Sequence, residues 1–97
     1  MNFILPPDIS EKKILDSKLI DDSIYFLTVY NDDVNTFKFV IDLLVKICGH
    51  NVIQAEQCAY LIHFTGKCVV KNGTFKKLKS LCEALLENGL SAKIEKS

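Results

Sequence analysis

Two groups of polar residues in this sequence have types and spacings that could bind a cation. Asn31, Asp32 and Asp33 directly follow an apolar run, which brings two carboxylates and an amide to one corner. A carboxylate among neutral acceptors suits an ammonium group, because each N–H needs an acceptor and the charge needs an anion. His63 is the second candidate, and its ring accepts a hydrogen bond from an amine only at a nitrogen that carries no proton. We therefore expect the binding of an amine to weaken as acid protonates His63.

Each candidate also has a purely structural interpretation. Asn and Asp residues end strands through side-chain bonds to nearby backbone groups, and the charge of Asp33 would stabilise the start of a following helix. A single histidine on a partly apolar helix face, as His63 is, more often belongs to the core. Which interpretation holds depends on the elements that position these residues.

The hydropathy pattern divides the chain into two parts. Residues 1–22 contain Pro6-Pro7 and show no clean periodicity, which predicts a flexible N-terminal extension. The remaining residues, 23–97, are predicted to form one core domain, because a chain of 97 residues has room for one small hydrophobic core.

Six elements are predicted within the core domain. The β-branched and aromatic residues at its start indicate a buried strand. Asn35 or Thr36 caps the first helix, and Asn51 with Gln54 resembles a capping box for the second. The predicted bounds are strands over 23–30, 67–71 and 92–95, helices over 37–48, 52–64 and 75–88, and a turn at 72–73. This order, β-α-α-β-α-β, predicts a small α+β domain with a three-stranded sheet packed against helices.

The charge balance argues against some classes of function. Twelve lysines offset twelve acidic residues, and the sequence contains no arginine. Nucleic-acid binders usually carry a cationic excess and use guanidinium groups on phosphates and guanine edges, so we expect no nucleic-acid partner. Residues 1–42 carry a charge of −4 (eight acids, four lysines) and residues 43–97 carry +4 (four acids, eight lysines). Acidic and basic surfaces are therefore predicted on different parts of the molecule.

Cysteines raise the question of disulfides or metal binding. The four cysteines are Cys48, Cys58, Cys68 and Cys82. The apolar residues before Pro6-Pro7 are too few for a secretory signal, and no run approaches the roughly 20 apolar residues of a membrane span. We therefore expect a cytoplasmic chain with free thiols in its core and no membrane association. A zinc site that combines three of them with His50 lacks the usual paired spacing, so no metal or cofactor is expected.

Longer motifs resemble the ClpS family of protease adaptors. The runs VYNDDVNTFKFVIDLLV over residues 29–45 and QAEQCAYLIHFTGK over residues 54–67 carry the resemblance, and ENGLSAKIE over residues 87–95 also fits. The shared features are Asn-Asp-Asp after the first strand, Phe-Val-Ile-Asp in the first helix and His-x-x-Gly-Lys closing the second. The resemblance covers residues 23–95. It implies three helices on a three-stranded antiparallel sheet.

Membership of that family would imply a non-enzymatic adaptor with no catalytic residue. It would bind N-degron substrates by a bulky hydrophobic first residue (Leu, Phe, Tyr or Trp) and deliver them to a Clp ATPase–protease. The resemblance assigns the substrate's α-amino group to Asn31, Asp33 and His63, with Asp32 in the same corner. It gives the hydrophobic pocket to Val29, Asn35, Phe37, Val40, Ala59, Ile62 and Leu90. The implied partner is a Clp-type AAA+ ATPase of the ClpA or ClpC class, engaged in part by the N-terminal extension, and we expect a monomer.

The sequence departs from the better-known family members at the pocket. Phe37 replaces a methionine at the gate, Ala59 replaces a methionine on the second helix, and Asn35 replaces a threonine. A larger gate residue opposite a smaller wall could conserve volume while it changes shape. Lys76, Lys77 and Lys79 also make the third helix more basic where partner docking is expected.

Two other functions stay open. A small thiol enzyme could pair Cys58 or Cys68 with His63 and an orienting aspartate, although no local signature surrounds the thiols. A ribosomal-stalk-like protein interaction module would share the architecture, but it gives no reason to place Asn31, Asp33 and His63 around a pocket.

Overall fold

The computed structural model describes residues 23–96, and the elements follow the predicted order. The predicted extension over residues 1–22 lies outside the described residues. The elements are β1 (Tyr25–Tyr30), α1 (Phe37–Cys48), α2 (Val52–Thr65), β2 (Lys67–Gly73), α3 (Phe75–Glu87) and β3 (Ser91–Lys96). The predicted turn at 72–73 is wrong: Asn72 and Gly73 complete β2 and pair with Phe26 and Tyr25. Pairing with β1 gives these backbone groups partners that a turn would leave to solvent.

Local side-chain hydrogen bonds begin the helices where the sequence predicts. Thr36, rather than Asn35, caps α1 and accepts a bond from the backbone N–H of Phe39 at 3.1 Å. Asn51 and Gln54 form the predicted reciprocal capping box at the start of α2. Such caps satisfy N–H groups that the first helical turn leaves without partners.

The sheet has the order β2-β1-β3, and both strand pairs are antiparallel. The predicted α+β architecture, with a three-stranded antiparallel sheet and three helices, is therefore confirmed. β1 is the central strand, and its residues Leu27, Thr28 and Val29 are buried. Leu44, Leu78 and other apolar residues of the three helices complete the core against this sheet.

A buried histidine forms a hydrogen bond with the backbone at a bulge in β2. The register between β1 and β2 shifts between Leu27 and Thr28, so Val70 has no partner on β1. The carbonyl oxygen of Val70 lies 2.7 Å from Nε2 of His50. Because a carbonyl only accepts, Nε2 donates, and the buried Nδ1 is left without a hydrogen-bond partner. His50 therefore satisfies a carbonyl that the bulge removes from the strand ladder.

The cysteines form no disulfide within the described part of the chain. All four are free, and three of them are buried. No cluster of three His, Cys, Asp or Glu side chains among residues 23–96 could hold a metal ion. None of the described helices combines the length and apolar character that a membrane span requires.

Candidate functional site

One backbone hydrogen bond joins the end of β1 to the end of α2. The N–H of Asn31 donates to the carbonyl oxygen of Gly66 at 2.9 Å. Gly66 closes α2 with a φ of 98°, a left-handed conformation that favours glycine and turns the chain into β2. His63 lies in the last turn of α2, so this bond brings Asn31 and His63 to the same corner.

Asp32 organises the turn between β1 and α1. Its Oδ1 accepts bonds from the backbone N–H groups of Val34 and Asn35, both at 3.0 Å. The side-chain amide of Asn35 donates to both oxygens of Asp32, at 3.0 and 2.9 Å, and also to the carbonyl oxygen of Gly89 at 2.9 Å. The Asp32 carboxylate is thus already occupied by its own turn, which Asn35 fastens to the loop before β3.

The ionisation of Asp32 reflects these contacts. Partial burial raises the pKa of its carboxyl group, but the hydrogen bonds from Asn35 and Val34 lower it more, so the net pKa is below its ordinary value of 3.8. The carboxylate is the form that accepts all these bonds. The charge therefore stabilises the turn.

The other three polar candidates keep their side chains free for a ligand. Among the described residues, no hydrogen-bond partner exists for the side-chain amide of Asn31, the carboxylate of Asp33 or the ring nitrogens of His63. All three residues are solvent-exposed. They offer one anion and neutral acceptors, the set that an ammonium group requires.

A small cavity lies beside this corner. Its volume is about 30 Å³, and its lining residues are Asn31, Asn35, Phe37, Val40, Ala59, Ile62 and His63. Val40, Ala59 and Ile62 are buried and form its apolar part. A volume of this size holds about two water molecules, which is too little for a large side chain.

Phe37 restricts the cavity. Its ring packs edge-on against Tyr60 at a centroid distance of 5.1 Å and against His63 at 6.5 Å. The side chain is 38% exposed, so it is held on one face only.

A wider groove lies next to the cavity. It has a volume of about 490 Å³ and is lined by Asn35, Thr36, Phe37, Tyr60, His63 and Phe64. Three of these residues, Asn35, Phe37 and His63, also line the cavity. The two spaces therefore lie side by side and share part of one wall.

Some predicted site residues lie outside the cavity. Val29 and Leu90 are buried in the core cluster and do not line the cavity. Asp32 and Asp33 do not line it either, although both belong to the corner at its side. Conversely, Tyr60 and Phe64 were not predicted. Their signal is the spacing of three aromatic rings, at positions 60, 63 and 64, which places them on one face of α2.

Cys48 and Cys68 lack the properties of an activated nucleophile. Burial raises the pKa of Cys48 to about 11. Burial and a hydrogen bond with Cys58 raise the pKa of Cys68 to about 12. A catalytic thiol needs the opposite shift, because the thiolate is the nucleophile. These shifts give no support to the thiol-enzyme alternative.

Comparison with known proteins identifies the family. The sequence model described as "ATP-dependent Clp protease adaptor protein ClpS" matches residues 21–93. The ClpS adapter proteins of Escherichia coli O1:K1 / APEC and of Shigella boydii serotype 18 are each 34% identical to this chain over 61 residues. The match covers 63% of this chain but only 57% of the length of each relative. The chain belongs to the ClpS family of Clp protease adaptors, as its sequence motifs predict.

A solved structure shows the same fold. Agrobacterium tumefaciens ClpS2, bound to L-phenylalaninamide, superimposes with a TM-score of 0.67 and 21% sequence identity. The superposition covers 78% of this chain and 99% of that one. The predicted fold is thus found in a relative with little sequence similarity.

Proposed function

We propose that this chain is a non-enzymatic adaptor that binds the amino terminus of N-degron substrates. The substrate's first side chain, which is bulky and hydrophobic (Leu, Phe, Tyr or Trp), occupies the cavity, and its α-amino group lies at the adjacent polar corner. The observation that carries this proposal is the contact between unpartnered polar groups and a buried apolar lining. Asn31 and His63 line the same cavity as Val40, Ala59 and Ile62.

The polar corner suits a free α-amino group. Such a group is a compact cation with three N–H donors, and Asn31, Asp33 and His63 supply an anion and two neutral acceptors. An internal peptide N–H offers one donor and no charge, so it would leave acceptors unpaired. Only the first residue of a chain presents this cation beside its own side chain, which makes the joint recognition specific for an amino terminus.

The two aspartates have different roles in this proposal. Asp33 is the charge partner of the amino group because its carboxylate is unpartnered. Asp32 holds the turn on which Asn31 and Asp33 lie, through its bonds to Val34 and Asn35. In this proposal Asp33 binds the amino group, and Asp32 positions the turn.

Entry of a bulky side chain requires Phe37 to move. The cavity of about 30 Å³ is too small for a leucine or phenylalanine side chain while the ring stays in place. Moving the ring breaks its edge contact with Tyr60, which costs about 0.5–1.5 kcal/mol on the usual scale of aromatic pairs. Ala59, a small and buried lining residue, leaves room for a substrate side chain once the ring has moved.

The relative from Agrobacterium tumefaciens supports this choice of ligand. L-phenylalaninamide has a free α-amino group and a bulky aromatic side chain. This is the chemistry that the polar corner and the apolar cavity of the present chain would recognise. The ligand class proposed here is therefore the class found with a protein of the same fold.

Delivery to a protease completes the proposed function. Family membership supports a Clp-type AAA+ ATPase of the ClpA or ClpC class as the partner, with the adaptor acting in the cytoplasm as a monomer. Residues 1–22 would contact the ATPase, and Lys76, Lys77 and Lys79 on α3 would alter the docking surface. All three lysines are exposed.

A panel of peptides that differ only in the first residue tests the proposal. Fluorescence anisotropy should rank Leu, Phe, Tyr and Trp above Ser and Gly by at least about tenfold in Kd, because burial of a large apolar side chain is worth about 1.5–3 kcal/mol. Ile and Val belong in the panel because they report the shape of the entrance beside Phe37. Equal affinity for Leu and Ser would contradict the proposed pocket.

A further inference from the structure

In the proposed function the first residue occupies the cavity and the polar corner, which leaves Tyr60, Phe64 and Thr36 of the wider groove without a role. We propose that this groove is a second subsite, which binds an apolar side chain at position 2 or 3 of the substrate. The aromatic groove, as we call it, is formed by the rings of Phe37, Tyr60, His63 and Phe64. This inference rests on the proposed function, since it requires the first residue to occupy the cavity.

The rings of the aromatic groove form a closed circuit. Phe37 contacts Tyr60 at 5.1 Å, Tyr60 stacks on Phe64 at 5.7 Å with an interplanar angle of 14°, and Phe64 contacts His63 edge-on at 4.7 Å. His63 closes the circuit with Phe37 at 6.5 Å. The stacked pair presents a continuous apolar surface of the kind on which a further aromatic or large aliphatic side chain packs.

This surface is unusually exposed for aromatic residues. Tyr60 is 55% exposed and Phe64 is 70% exposed, whereas Ala55, Ala59 and Ile62 of the same helix are buried. Clustered exposed apolar residues next to a pocket often mark a binding surface, whereas single ones do not. Packing against a substrate would remove this surface from water.

Chain geometry brings the substrate to the aromatic groove. The groove shares Asn35, Phe37 and His63 with the cavity, so the two spaces meet along one wall. Consecutive Cα atoms are about 3.8 Å apart, and the third residue of an extended chain lies about 7 Å from the first. Positions 2 and 3 of a substrate whose first side chain fills the cavity are therefore the ones within reach.

The lining of the aromatic groove also defines which side chains it favours. Asn35, Thr36, Phe37, Tyr60 and Phe64 are uncharged, and no lysine lines the groove. The sixth lining residue, His63, serves as a neutral acceptor in the proposed function. A glutamate or aspartate would lose water without gaining a cation. The groove thus selects aromatic and large aliphatic side chains and disfavours acidic ones.

Paired peptides on the full chain test this inference. Four peptides would begin Leu-Ala-Ala, Leu-Phe-Ala, Leu-Ala-Phe and Leu-Glu-Ala and would otherwise be identical. We expect phenylalanine at position 2 or 3 to lower Kd about five- to tenfold relative to Leu-Ala-Ala, and glutamate not to lower it. Phe64→Ala should remove this gain and leave the affinity for Leu-Ala-Ala within about twofold.

Matched controls separate the groove from general effects. Phe75 is an exposed aromatic that packs on Tyr25, at the opposite end of β1 from the site, so Phe75→Ala should keep the full gain. Phe64→Leu should retain part of it. An unchanged thermal midpoint for Phe64→Ala would establish that the variant is folded.

Each remaining outcome is decisive. If Leu-Ala-Ala binds through its free amino group and phenylalanine adds nothing at either position, the second subsite is wrong while the proposed function stands. If no Leu-first peptide binds, both are wrong. If Phe64→Ala abolishes self-association of the free chain and leaves every peptide affinity unchanged, the aromatic groove is a contact between two copies of this chain instead.

Discussion

The backbone N–H of Asn31 lies 2.9 Å from the carbonyl oxygen of Gly66, across 35 residues of chain. This bond continues the pairing of Tyr30 with Lys67, so the polar end of the central strand and the last turn of α2 share one corner. Because His63 is three residues before Gly66, the strand supplies the acidic part of the site and the helix supplies the imidazole. The candidate site is thus a consequence of how β1 and α2 end.

The first prediction concerns Asp32 and pH. Its pKa in the folded chain is lower than 3.8, so its stabilising effect is fully present above that value and is lost as the pH falls through the folded-state pKa. Asp32→Asn keeps an acceptor at Oδ1 but removes the charge, so it should be less stable than the parent chain at pH 7 by about 0.2–1 kcal/mol, the scale of a charge screened by solvent. Urea unfolding at several pH values measures this difference.

The pH series has an internal control. The pKa of Glu95 is also lowered, by hydrogen bonds from Tyr30 and Thr28, but this group is present in both proteins and cancels in the comparison. The stability difference should stay constant above about pH 5 and shrink below pH 3.8. A difference that does not change with pH would show that the charge of Asp32 plays no part in the turn.

The second prediction concerns the gate. Phe37→Ala removes the ring that restricts the cavity, so first residues of different shape should enter more easily. Ile and Val carry a branch at Cβ, which the ring of Phe37 would meet at the entrance, so we expect the parent chain to prefer Leu over them. In Phe37→Ala this preference should fall by about tenfold, as first-residue peptides would measure. Phe39→Ala is the matched control. Phe39 is 37% exposed, about as much as Phe37, but it lines neither the cavity nor the groove.

The third prediction concerns the bulge in β2. His50→Leu leaves the carbonyl oxygen of Val70 buried without a donor and should lower the free energy of unfolding by about 1–3 kcal/mol. His50→Gln keeps an N–H donor and should recover part of this loss. Peptide affinity of the folded variants should not change, since His50 is outside the site; a large loss of affinity would link the bulge to binding.

The fourth prediction concerns thiol reactivity. At pH 8 a thiol with a pKa of about 11 is ionised to about one part in a thousand, so Cys48 should react very slowly with an aromatic disulfide reagent. Burial also raises the pKa of Cys68, to about 12, and of Cys82. All four thiols should react rapidly in urea. Fast reaction of a buried cysteine in the native chain would revive the thiol-enzyme alternative.

Much of the fold follows from local chemistry. Thr36, Asn51 and Thr74 begin helices because their side chains accept bonds from N–H groups only a few residues away. Such bonds can be predicted from neighbouring residues alone. The end of β2 could not be predicted in this way, because Asn72 and Gly73 favour turns locally and are held extended only by their pairing with β1.

Local sequence features likewise indicate only part of the candidate site. Asn31 and His63 stand out by type, and the motifs around them indicate a shared pocket. The exposure of Tyr60 and Phe64, by contrast, depends on which face of α2 the sheet and α1 cover. That is a property of the packing, and helical spacing alone does not distinguish a buried aromatic face from an exposed one.

The central claim is that a free amino terminus and its side chain are recognised together. Calorimetric titration of one Leu-first peptide with and without Nα-acetylation tests it most directly. We predict that acetylation raises Kd at least about 30-fold, equivalent to about 2 kcal/mol, because it removes the charge that Asp33 pairs with. Asp33→Ala should weaken binding of the free peptide to a similar extent. Asp42→Ala, which makes the same change in net charge at an exposed position of α1, should not. Equal binding of the free and acetylated peptides would contradict the account.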